Sequence, residues 1–338
     1  MVRMAVIGCG YWGPNLIRNF QNTAGCELRA ISDLNAQRLD HVGRQYPHVR
    51  RTSDHRTILT DPDIDAVAVA TPVSTHYPLG KDVLEAGKHL FIEKPMCASA
   101  ADCRKLVDIA RRRGLQIMVG HTFLFTPAVR KIRELMRSGE LGDVYYVNIT
   151  RVNLGLFQPD INVVWDLAPH DIAMLNHLFD SGPSIVSATG RSYVRSGNED
   201  VAFLTLEYPG NQIAHIHVSW LDPNKIRQAT FVGSRKMLVY DDVSSLEKIR
   251  VYDKGVEKLS HYDNFGEFQL SYRYGDIVIP RVDQTEPLKI EAAHFVACLE
   301  GREEPVSDGS VGLQVVEVLE RVCESIRQEG KPVSCSPA

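Results

Sequence analysis

Short apolar runs alternate with amphipathic stretches through the first third of the chain. The run Ala5-Val6-Ile7 has no polar interruption, which is typical of a strand buried on both faces of a parallel sheet. Further strands are predicted over 26–32, 64–71, 88–93 and 115–120, and amphipathic helices over 78–86 and 100–113. This alternation predicts a doubly wound parallel sheet with helices on both faces, in a first domain of residues 1–121.

After residue 122 the pattern changes to longer strands joined by turn signals such as Pro209-Gly210-Asn211. A helix is predicted over 127–138, and strands over 144–153, 185–195, 201–208, 212–221, 229–233, 237–241 and 248–252. Two helices over 288–300 and 311–329 close the chain. The pattern predicts a second, α+β domain of residues 122–338, built on a large, mostly antiparallel open sheet.

Composition excludes several classes of protein. The 338 residues are 44% hydrophobic and 24% charged, as in ordinary globular proteins. A net charge of −4 offers no basic field for nucleic acid, so no nucleic-acid partner is expected. Because no apolar run is long enough for a bilayer and no leader precedes the first strand, we expect no membrane association and a cytoplasmic location.

The cysteines and histidines do not form a metal-site pattern. The seven cysteines are scattered and never spaced C-x-x-C, which indicates reduced thiols rather than a disulfide framework or a zinc site. His215 and His217 alternate along a predicted strand, where a shared sheet face is expected rather than a ligand pair. No metal is predicted.

Three glycines follow the first strand at the G-x-G-x-x-G spacing of a dinucleotide-binding loop. Gly8 allows a tight turn, Gly10 allows the backbone to approach a pyrophosphate, and Gly13 lets the next helix pack close to the strand. The predicted cofactor contacts in this loop are Gly8, Gly10, Tyr11, Trp12 and Gly13. A glycine-rich turn without a ligand is the alternative for such a motif taken alone.

The second strand adds support, because it ends at Asp33, 20 residues after Gly13. A carboxylate at this distance accepts hydrogen bonds from the adenosine ribose and repels a 2′-phosphate. The sequence therefore predicts NAD rather than NADP. Arg38 weakens this preference, since a guanidinium group so near in sequence is able to pair with a 2′-phosphate.

The loop after the third strand begins with Thr71 and Pro72 and reaches His76. Loops at the carboxyl ends of parallel strands line the ligand crevice, so these three residues are predicted to lie beside the cofactor. The alternative is a plain turn, in which Pro72 only interrupts the strand and His76 only begins a helix.

Glu93, Lys94 and Pro95 end a further buried strand. A proline holds the preceding residue extended, and a cis bond is possible there. A lysine fixed beside an oxidised nicotinamide could polarise a substrate hydroxyl, and Glu93 is counted with Lys94 among the predicted cofactor contacts. A solvated lysine paired with Glu93 is an equal alternative from spacing alone.

Asp166 and His170 lie in the segment WDLAPHD, residues 165–171. Pro169 suits the first turn of a helix, so a helix is predicted to begin there, with Asp166 just before it. A carboxylate beside a histidine raises its basicity, which suits a general base. In the alternative, Asp166 or Asp171 caps the helix and His170 is an ordinary surface residue.

Taken together, these four motifs resemble, in order and spacing, the glucose-fructose oxidoreductase, inositol dehydrogenase and rhizopine catabolism (Gfo/Idh/MocA) family, over essentially the whole chain. The resemblance implies an N-terminal Rossmann domain and a C-terminal domain whose open sheet forms a homodimer or homotetramer. By position, Lys94 corresponds to the catalytic lysine of the family, His170 to its acid/base histidine, and Asp166 to the carboxylate that assists it.

The segments 121–125, 127–129 and 165–171 are similar to members that oxidise nucleotide-linked sugars at C3 in aminosugar biosynthesis. The resemblance implies an NAD-dependent dehydrogenase for a small-molecule sugar. A 3-keto-sugar reductase, a cyclitol or aminoglycoside-ring dehydrogenase, and an NAD-binding redox sensor without turnover stay open. Arg151, Asn153 and Arg191 are candidates for contacting a substrate phosphate or carboxylate, and are equally candidates for surface residues.

Overall fold

The computed structural model describes residues 1–155, 157, 161–258 and 270–335. By its internal contacts the chain divides into two units. Unit 1 comprises Met1–Thr126 and Thr285–Glu320, and unit 2 comprises Pro127–Gln284 and Arg321–Ala338. No helix in the described part of the chain is long and apolar enough to cross a membrane.

The elements are numbered in chain order. The strands are β1 Val2–Ile7, β2 Cys26–Ser32, β3 Arg50–Thr52, β4 Ala66–Val69, β5 His89–Glu93, β6 Ile117–Gly120, β7 Val144–Leu154, β8 Ile185–Arg191, β9 Val201–Glu207, β10 Ile213–Ser219, β11 Leu221–Gly233, β12 Met237–Asp241, β13 Ile249–Lys258, β14 Leu270–Val278 and β15 Val333–Ser334. The helices are α1 Gly13–Gln21, α2 Ala36–Gln45, α3 Arg56–Leu59, α4 His76–Glu85, α5 Ala100–Arg113, α6 Pro127–Arg137, α7 Val163–Phe179, α8 Pro287–Leu299 and α9 Gly309–Arg327. Short 3-10 helices cover Val73–Thr75 and Thr122–Phe125.

Unit 1, all of whose residues are described, contains a parallel sheet of six strands in the order β3-β2-β1-β4-β5-β6. This is the Rossmann order, in which the strand order reverses direction between β1 and β4. Every residue of β4 and β6 is buried, as expected for strands covered on both faces. The predicted doubly wound sheet is confirmed, whereas β3 was missed because its three residues contain no apolar run.

Helix α8 belongs to unit 1, which differs from the predicted assignment of all of 122–338 to the second domain. Its Phe295 ring meets those of Phe20 and Phe91 edge to face at 6.2 and 5.6 Å, and so joins the core below β5. Just before the helix, Glu286 accepts two hydrogen bonds from the Arg18 guanidinium at 2.6 and 2.9 Å. These contacts span more than 200 positions, so local sequence patterns carry no sign of them.

Within its described residues, unit 2 contains one sheet of nine strands in the order β14-β13-β12-β11-β7-β10-β9-β8-β15. Among the strands described in unit 2, only β7 and β10 pair in parallel; the other pairs are antiparallel. Helix α7 packs on β7, β9 and β10, whose buried and exposed residues alternate. The opposite face exposes large side chains such as Tyr146, Phe203 and Ile213. The predicted large, mostly antiparallel open sheet is confirmed.

The strand boundaries of unit 2 differ from prediction at β11. The sequence predicted a strand only over 229–233, whereas β11 runs from Leu221 to Gly233. The segment Asp222-Pro223-Asn224-Lys225 looks like a turn, but it forms an irregularity between Leu221 and Ile226, where the register with β7 shifts. Bulges accommodate proline within sheets, so a turn signal here marks a bulge. Strand β14 was not predicted at all.

The predicted start of a helix at Pro169 is wrong. Helix α7 begins at Val163, where the Asn162 side chain caps it by accepting a hydrogen bond from the Trp165 N–H at 3.1 Å. Pro169 lies inside the helix and leaves one intrahelical hydrogen bond unmade, which costs roughly 3 kcal/mol in a helix interior. As a result, Asp166 and His170 both lie within the helix, one turn apart.

Candidate functional site

The loop between β1 and α1 is shaped by close packing of its backbone. Gly8 has a φ of +105°, a conformation that other residues rarely adopt. A Cβ on Gly13 would collide with the carbonyl oxygen of Gly8, so only glycine lets α1 begin this close to β1. At Gly10 the nearest atom to a Cβ would be Arg38 Nη1, at 3.6 Å. The loop therefore leaves open backbone where a pyrophosphate would bind.

Asp33 follows β2 and is held beside this loop. Its Oδ2 accepts a hydrogen bond from the Cys9 N–H at 2.6 Å, and its Oδ1 accepts one from the Asn35 N–H at 2.7 Å. A carboxylate has further acceptor capacity, so ribose hydroxyls can still bind it. An adjoining cavity of about 460 Å³ is lined by residues that include Gly10, Tyr11, Arg38 and His41.

His76 connects two of the predicted site loops. Its ring is buried, with Nε2 2.8 Å from the Thr71 carbonyl oxygen and Nδ1 2.9 Å from that of Pro95. Two acceptors favour a doubly protonated ring, but burial is the larger effect and lowers the pKa of His76. Both ring nitrogens of His76 thus face backbone carbonyl oxygens. The ring therefore links the Thr71 and Pro95 loops and is not placed for a direct polar contact with a ligand.

Lys94 follows β5 at the carboxyl edge of the sheet, and its peptide bond to Pro95 is cis. Its neighbour Glu93 is buried, and Glu93 Oε2 accepts a hydrogen bond from the Lys94 backbone N–H at 3.3 Å. Burial raises the pKa of Glu93 to about 7, although Lys94 and the Trp12 indole group both oppose the shift. This buried carboxyl group does not match the alternative of a solvated ion pair.

In unit 2, Asp166 and His170 lie four positions apart on α7 and therefore share one face of the helix. Asp166 Oδ2 accepts a hydrogen bond from Trp220 Nε1 at 3.0 Å. Trp220 is 1% exposed, and its ring packs edge to face on Phe157 at 5.4 Å. The Trp220 indole thus holds the half-buried Asp166 carboxylate in place, one helical turn from His170.

Neither Asp171 nor Arg151 matches its sequence-based role. Asp171 does not cap the helix; it is buried and accepts two hydrogen bonds from the Arg151 guanidinium, each at 2.7 Å. This bidentate pair occupies Arg151 within the core, which argues against its contact with a substrate phosphate. Arg191 is exposed and donates a hydrogen bond to the Gly190 carbonyl oxygen at 2.8 Å.

Among the described residues, no group of three or more His, Cys, Asp or Glu side chains is placed to hold a metal ion. His215 and His217 lie on the open sheet face, where their rings stack on Phe203 at 6.3 and 4.4 Å. All seven cysteines lie within the described residues, and none of them forms a disulfide.

Two family models match the chain, each within one of the two units. The N-terminal Gfo/Idh/MocA model, an oxidoreductase family with an NAD-binding Rossmann fold, matches residues 2–121. The C-terminal domain model of the same family matches residues 129–239. The chain belongs to the Gfo/Idh/MocA family. It is an NAD-dependent oxidoreductase of a family that acts on sugars and cyclitols.

Individual Gfo/Idh/MocA proteins are similar along most of the chain. The scyllo-inositol 2-dehydrogenase (NAD(+)) of Bacillus subtilis (strain 168) is 24% identical over 332 residues, 93% of this chain and 92% of that protein. The UDP-N-acetylglucosamine 3-dehydrogenase GnnA from Acidithiobacillus ferrooxidans is 23% identical, with a TM-score of 0.79 over 96% of this chain and 97% of that one. GenD2 from gentamicin A biosynthesis, in complex with NAD, is 21% identical, with a TM-score of 0.82 over 99% and 96%.

The residues of this Gfo/Idh/MocA chain fit NAD in two respects. The open backbone at Gly10 leaves space for the pyrophosphate, and Asp33 is fixed where it can bind the adenosine ribose. Sequence reasoning missed Trp220, which lies 54 positions from the carboxylate that it holds. It also missed Glu291, a buried glutamate in the mostly apolar helix α8, although a carboxylate in such a helix is itself a signal.

Proposed function

We propose that this oxidoreductase oxidises a ring hydroxyl of a sugar, at C3, and that the sugar is linked to a nucleotide. The observation that carries the proposal is the pairing on α7, where Asp166 and His170 share one face and Trp220 holds the carboxylate. The position of Lys94 adds support, because ligands of doubly wound sheets bind at the carboxyl ends of the strands.

Three side chains divide the chemistry in this proposal. His170 removes the proton of the substrate hydroxyl, and Asp166 stabilises the imidazolium that forms. Lys94 donates a hydrogen bond to the same oxygen and stabilises its developing negative charge. The chemistry that bound NAD supplies is acceptance of the hydride from the ring carbon, so that the alcohol becomes a ketone.

The proposed contacts of the cofactor are those of the loops at the carboxyl edge of the unit 1 sheet. They are Gly8, Gly10, Tyr11, Trp12, Gly13, Asp33, Thr71, Pro72, Glu93 and Lys94. His76 acts behind them by holding the Thr71 and Pro95 carbonyls together. Tyr11 is 90% exposed, so a bound ligand has a large surface to cover there.

Similarity to the UDP-N-acetylglucosamine 3-dehydrogenase supports the substrate class and the C3 position. A cyclitol is the second candidate, because the scyllo-inositol 2-dehydrogenase is similar along nearly the whole chain. Reduction of a 3-keto sugar uses the same residues in the opposite direction. Because the same residues serve all of these reactions, turnover assays are needed to identify the substrate and the direction of the reaction.

The decisive experiment measures NADH formation from NAD with separate UDP-sugars, free sugars, inositols and aminoglycosides. We expect turnover with UDP-sugars that the Lys94→Ala variant loses. Lys105→Ala is the matched control, because Lys105 is an exposed lysine of the same unit that pairs with Asp102 on the surface of α5. Turnover confined to inositols would contradict the substrate proposal. Oxidation of NADH by keto sugars alone would reverse its direction.

We also propose that the open face of the unit 2 sheet forms a homodimer or homotetramer. Tyr146, Phe203 and Ile213 are each more than 40% exposed on neighbouring strands, and an uncovered apolar face of this kind marks an interaction surface. Phe203→Glu places a charge at its centre, so we expect light scattering to detect a smaller species than for wild type. An unchanged mass for this variant would count against this interface.

A further inference from the structure

Three ionisable side chains of unit 1 are buried together near the carboxyl ends of β5 and β6. Glu93 closes β5, His121 follows β6, and Glu291 projects from α8. They are 9%, 1% and 0% exposed, respectively. The mechanism proposed above assigns no chemistry to His121 or Glu291.

The contacts of this cluster connect it to the loops of the site. The Glu93 carboxyl lies over Gly120, where a Cβ would come within 2.9 Å of Glu93 Oε1. Glu93 Oε2 accepts the Lys94 N–H, and the Trp12 indole of the glycine-rich loop also binds this carboxyl group. Glu93 therefore touches both the dinucleotide loop and the lysine.

Glu291 is held by a residue that follows β6. Its Oε2 accepts a hydrogen bond from the Thr122 hydroxyl at 2.8 Å. Among the described residues, Glu291 Oε1, Glu93 Oε1 and both ring nitrogens of His121 have no hydrogen-bond partner. Ionised forms are expensive in such surroundings, because little compensates the loss of water around the charge.

The three groups differ in whether they change charge near neutral pH. Burial, with a smaller contribution from Lys94, lowers the pKa of His121 to about 3, so its ring stays neutral. Burial and the neighbouring Glu93 raise the pKa of Glu291 well above its usual range, which favours its protonated form. Glu93 has a pKa of about 7. Among the described residues, the side chains shown to interact with Glu93 are the cation Lys94, the Trp12 indole and the carboxyl group of Glu291.

We propose that Glu93 is a positioning residue that carries a switchable negative charge behind Lys94, and that binding of NAD⁺ makes Glu93 release its proton to solvent. This inference rests on the proposed function only for the place of Lys94 beside the nicotinamide. The positive ring of NAD⁺ opposes a second cation at Lys94, and a carboxylate at Glu93 offsets that repulsion. The nicotinamide ring of NADH is neutral and does not repel Lys94, so binding of NADH does not favour a negative charge on Glu93.

The proton balance of the step is simple. The O–H bond of the Glu93 carboxyl group breaks, the proton passes to buffer, and the carboxylate remains with no electron transferred. Binding of NAD⁺ and ionisation of Glu93 are then linked, so each favours the other by the same factor. The consequence is that affinity for NAD⁺, but not for NADH, rises as pH increases through 7.

Isothermal titration calorimetry tests this without any sugar substrate. NAD⁺ and NADH are titrated into the protein in buffers of different ionisation enthalpy, which yields the number of protons released. For wild type we expect roughly half a proton per NAD⁺ near pH 7, since a group with a pKa of about 7 is half protonated there. Release should fall away at higher and lower pH, and NADH should release far less.

Two buried glutamates make a matched pair of variants. Glu93→Gln should abolish the release, whereas Glu291→Gln should leave it unchanged, because burial favours the protonated form of Glu291. Glu93→Asp keeps an ionisable group and should retain a release with a shifted pH profile, which covers the case that Glu93→Gln does not fold. Equal release by wild type and Glu93→Gln would overturn the proposal.

Lys94→Ala separates the two possible proton sources. If Glu93 is the source, release persists in this variant and moves to higher pH, because Lys94 lowers the pKa of Glu93. Release that disappears in Lys94→Ala but survives in Glu93→Gln would assign the proton to Lys94 and contradict us. The number of protons released is measured without any substrate turnover. The result can therefore be interpreted even if the sugar-oxidation proposal fails.

Discussion

Glu93 and Asp166 are two carboxyl groups that stand beside the two residues proposed to act on the substrate oxygen, and their surroundings are opposite. Glu93 is buried at the end of a parallel strand, with one oxygen unpartnered among the described residues. Asp166 is half-buried in the first turn of a helix and accepts a hydrogen bond from an indole. The first environment works against negative charge; the second accommodates it.

The difference shows two ways in which a protein controls the charge of a carboxyl group. Burial moves the pKa of Glu93 to about 7, so its ionisation responds to any nearby charge. A directed hydrogen bond from Trp220 instead helps to fix where the Asp166 carboxylate points. We infer that the charge of Glu93 offsets the repulsion between Lys94 and NAD⁺, whereas Asp166 orients its partner, His170.

The largest expected effect comes from removing the partners themselves. Lys94→Ala and His170→Ala should each lower kcat roughly 10²- to 10⁴-fold, because general acid–base groups contribute on this scale. Affinity for NAD should change little by comparison. Steady-state kinetics with the substrate found in the panel, together with NAD titration, measures both. A variant with wild-type kcat would remove its residue from the proposed chemistry.

A second test separates the two carboxyl groups by stability. The pKa of Glu93 is raised from 4.5 to about 7 in the folded state, so its stabilising contribution is fully present below pH 4.5 and lost as pH rises to 7. The loss amounts to about 3 kcal/mol. Wild type should therefore lose this stability over that window, whereas Glu93→Gln should not.

Chemical denaturation across the window measures the effect. Asp166→Asn is the control, because it removes a carboxyl group of unit 2 and leaves Glu93 in unit 1 unchanged. Parallel curves for wild type and Glu93→Gln would mean that Glu93 is not the titrating group, and the contrast between the two carboxyl groups would fail.

The smallest expected effect tests orientation. Trp220→Phe keeps an aromatic ring but removes the N–H that binds Asp166, and a hydrogen bond to a charged group contributes about 1.5–3 kcal/mol. We expect kcat to fall roughly tenfold or somewhat more, with little change in NAD affinity. A double-mutant cycle with Asp166→Asn should be non-additive. Additive losses would mean that Trp220 acts only through packing.

Much of the fold and of the candidate site can be predicted from the local pattern of residues along the sequence. The buried strands of unit 1, the G-x-G-x-x-G loop and Asp33 are each marked within a few residues, because parallel strands and tight turns restrict side chains locally. The predicted start of α7 is wrong for an equally local reason, since proline favours the first turn of a helix, whereas the Asn162 side chain provides the actual cap. The helix begins at Val163 rather than at Pro169, but Asp166 and His170 still lie close together and share one face of the helix.

The sequence by itself determined the class of fold, the position of the dinucleotide loop and the residue types of the proposed chemistry, because each depends on short-range periodicity and spacing. Only the tertiary structure decided that α8 joins unit 1, that Trp220 holds Asp166, and that Glu93 is buried with Glu291. Burial and long-range hydrogen bonds arise from residues far apart in the chain. Charge states follow from that burial, so the spacing of acidic residues alone does not reveal which carboxyl group titrates near neutral pH.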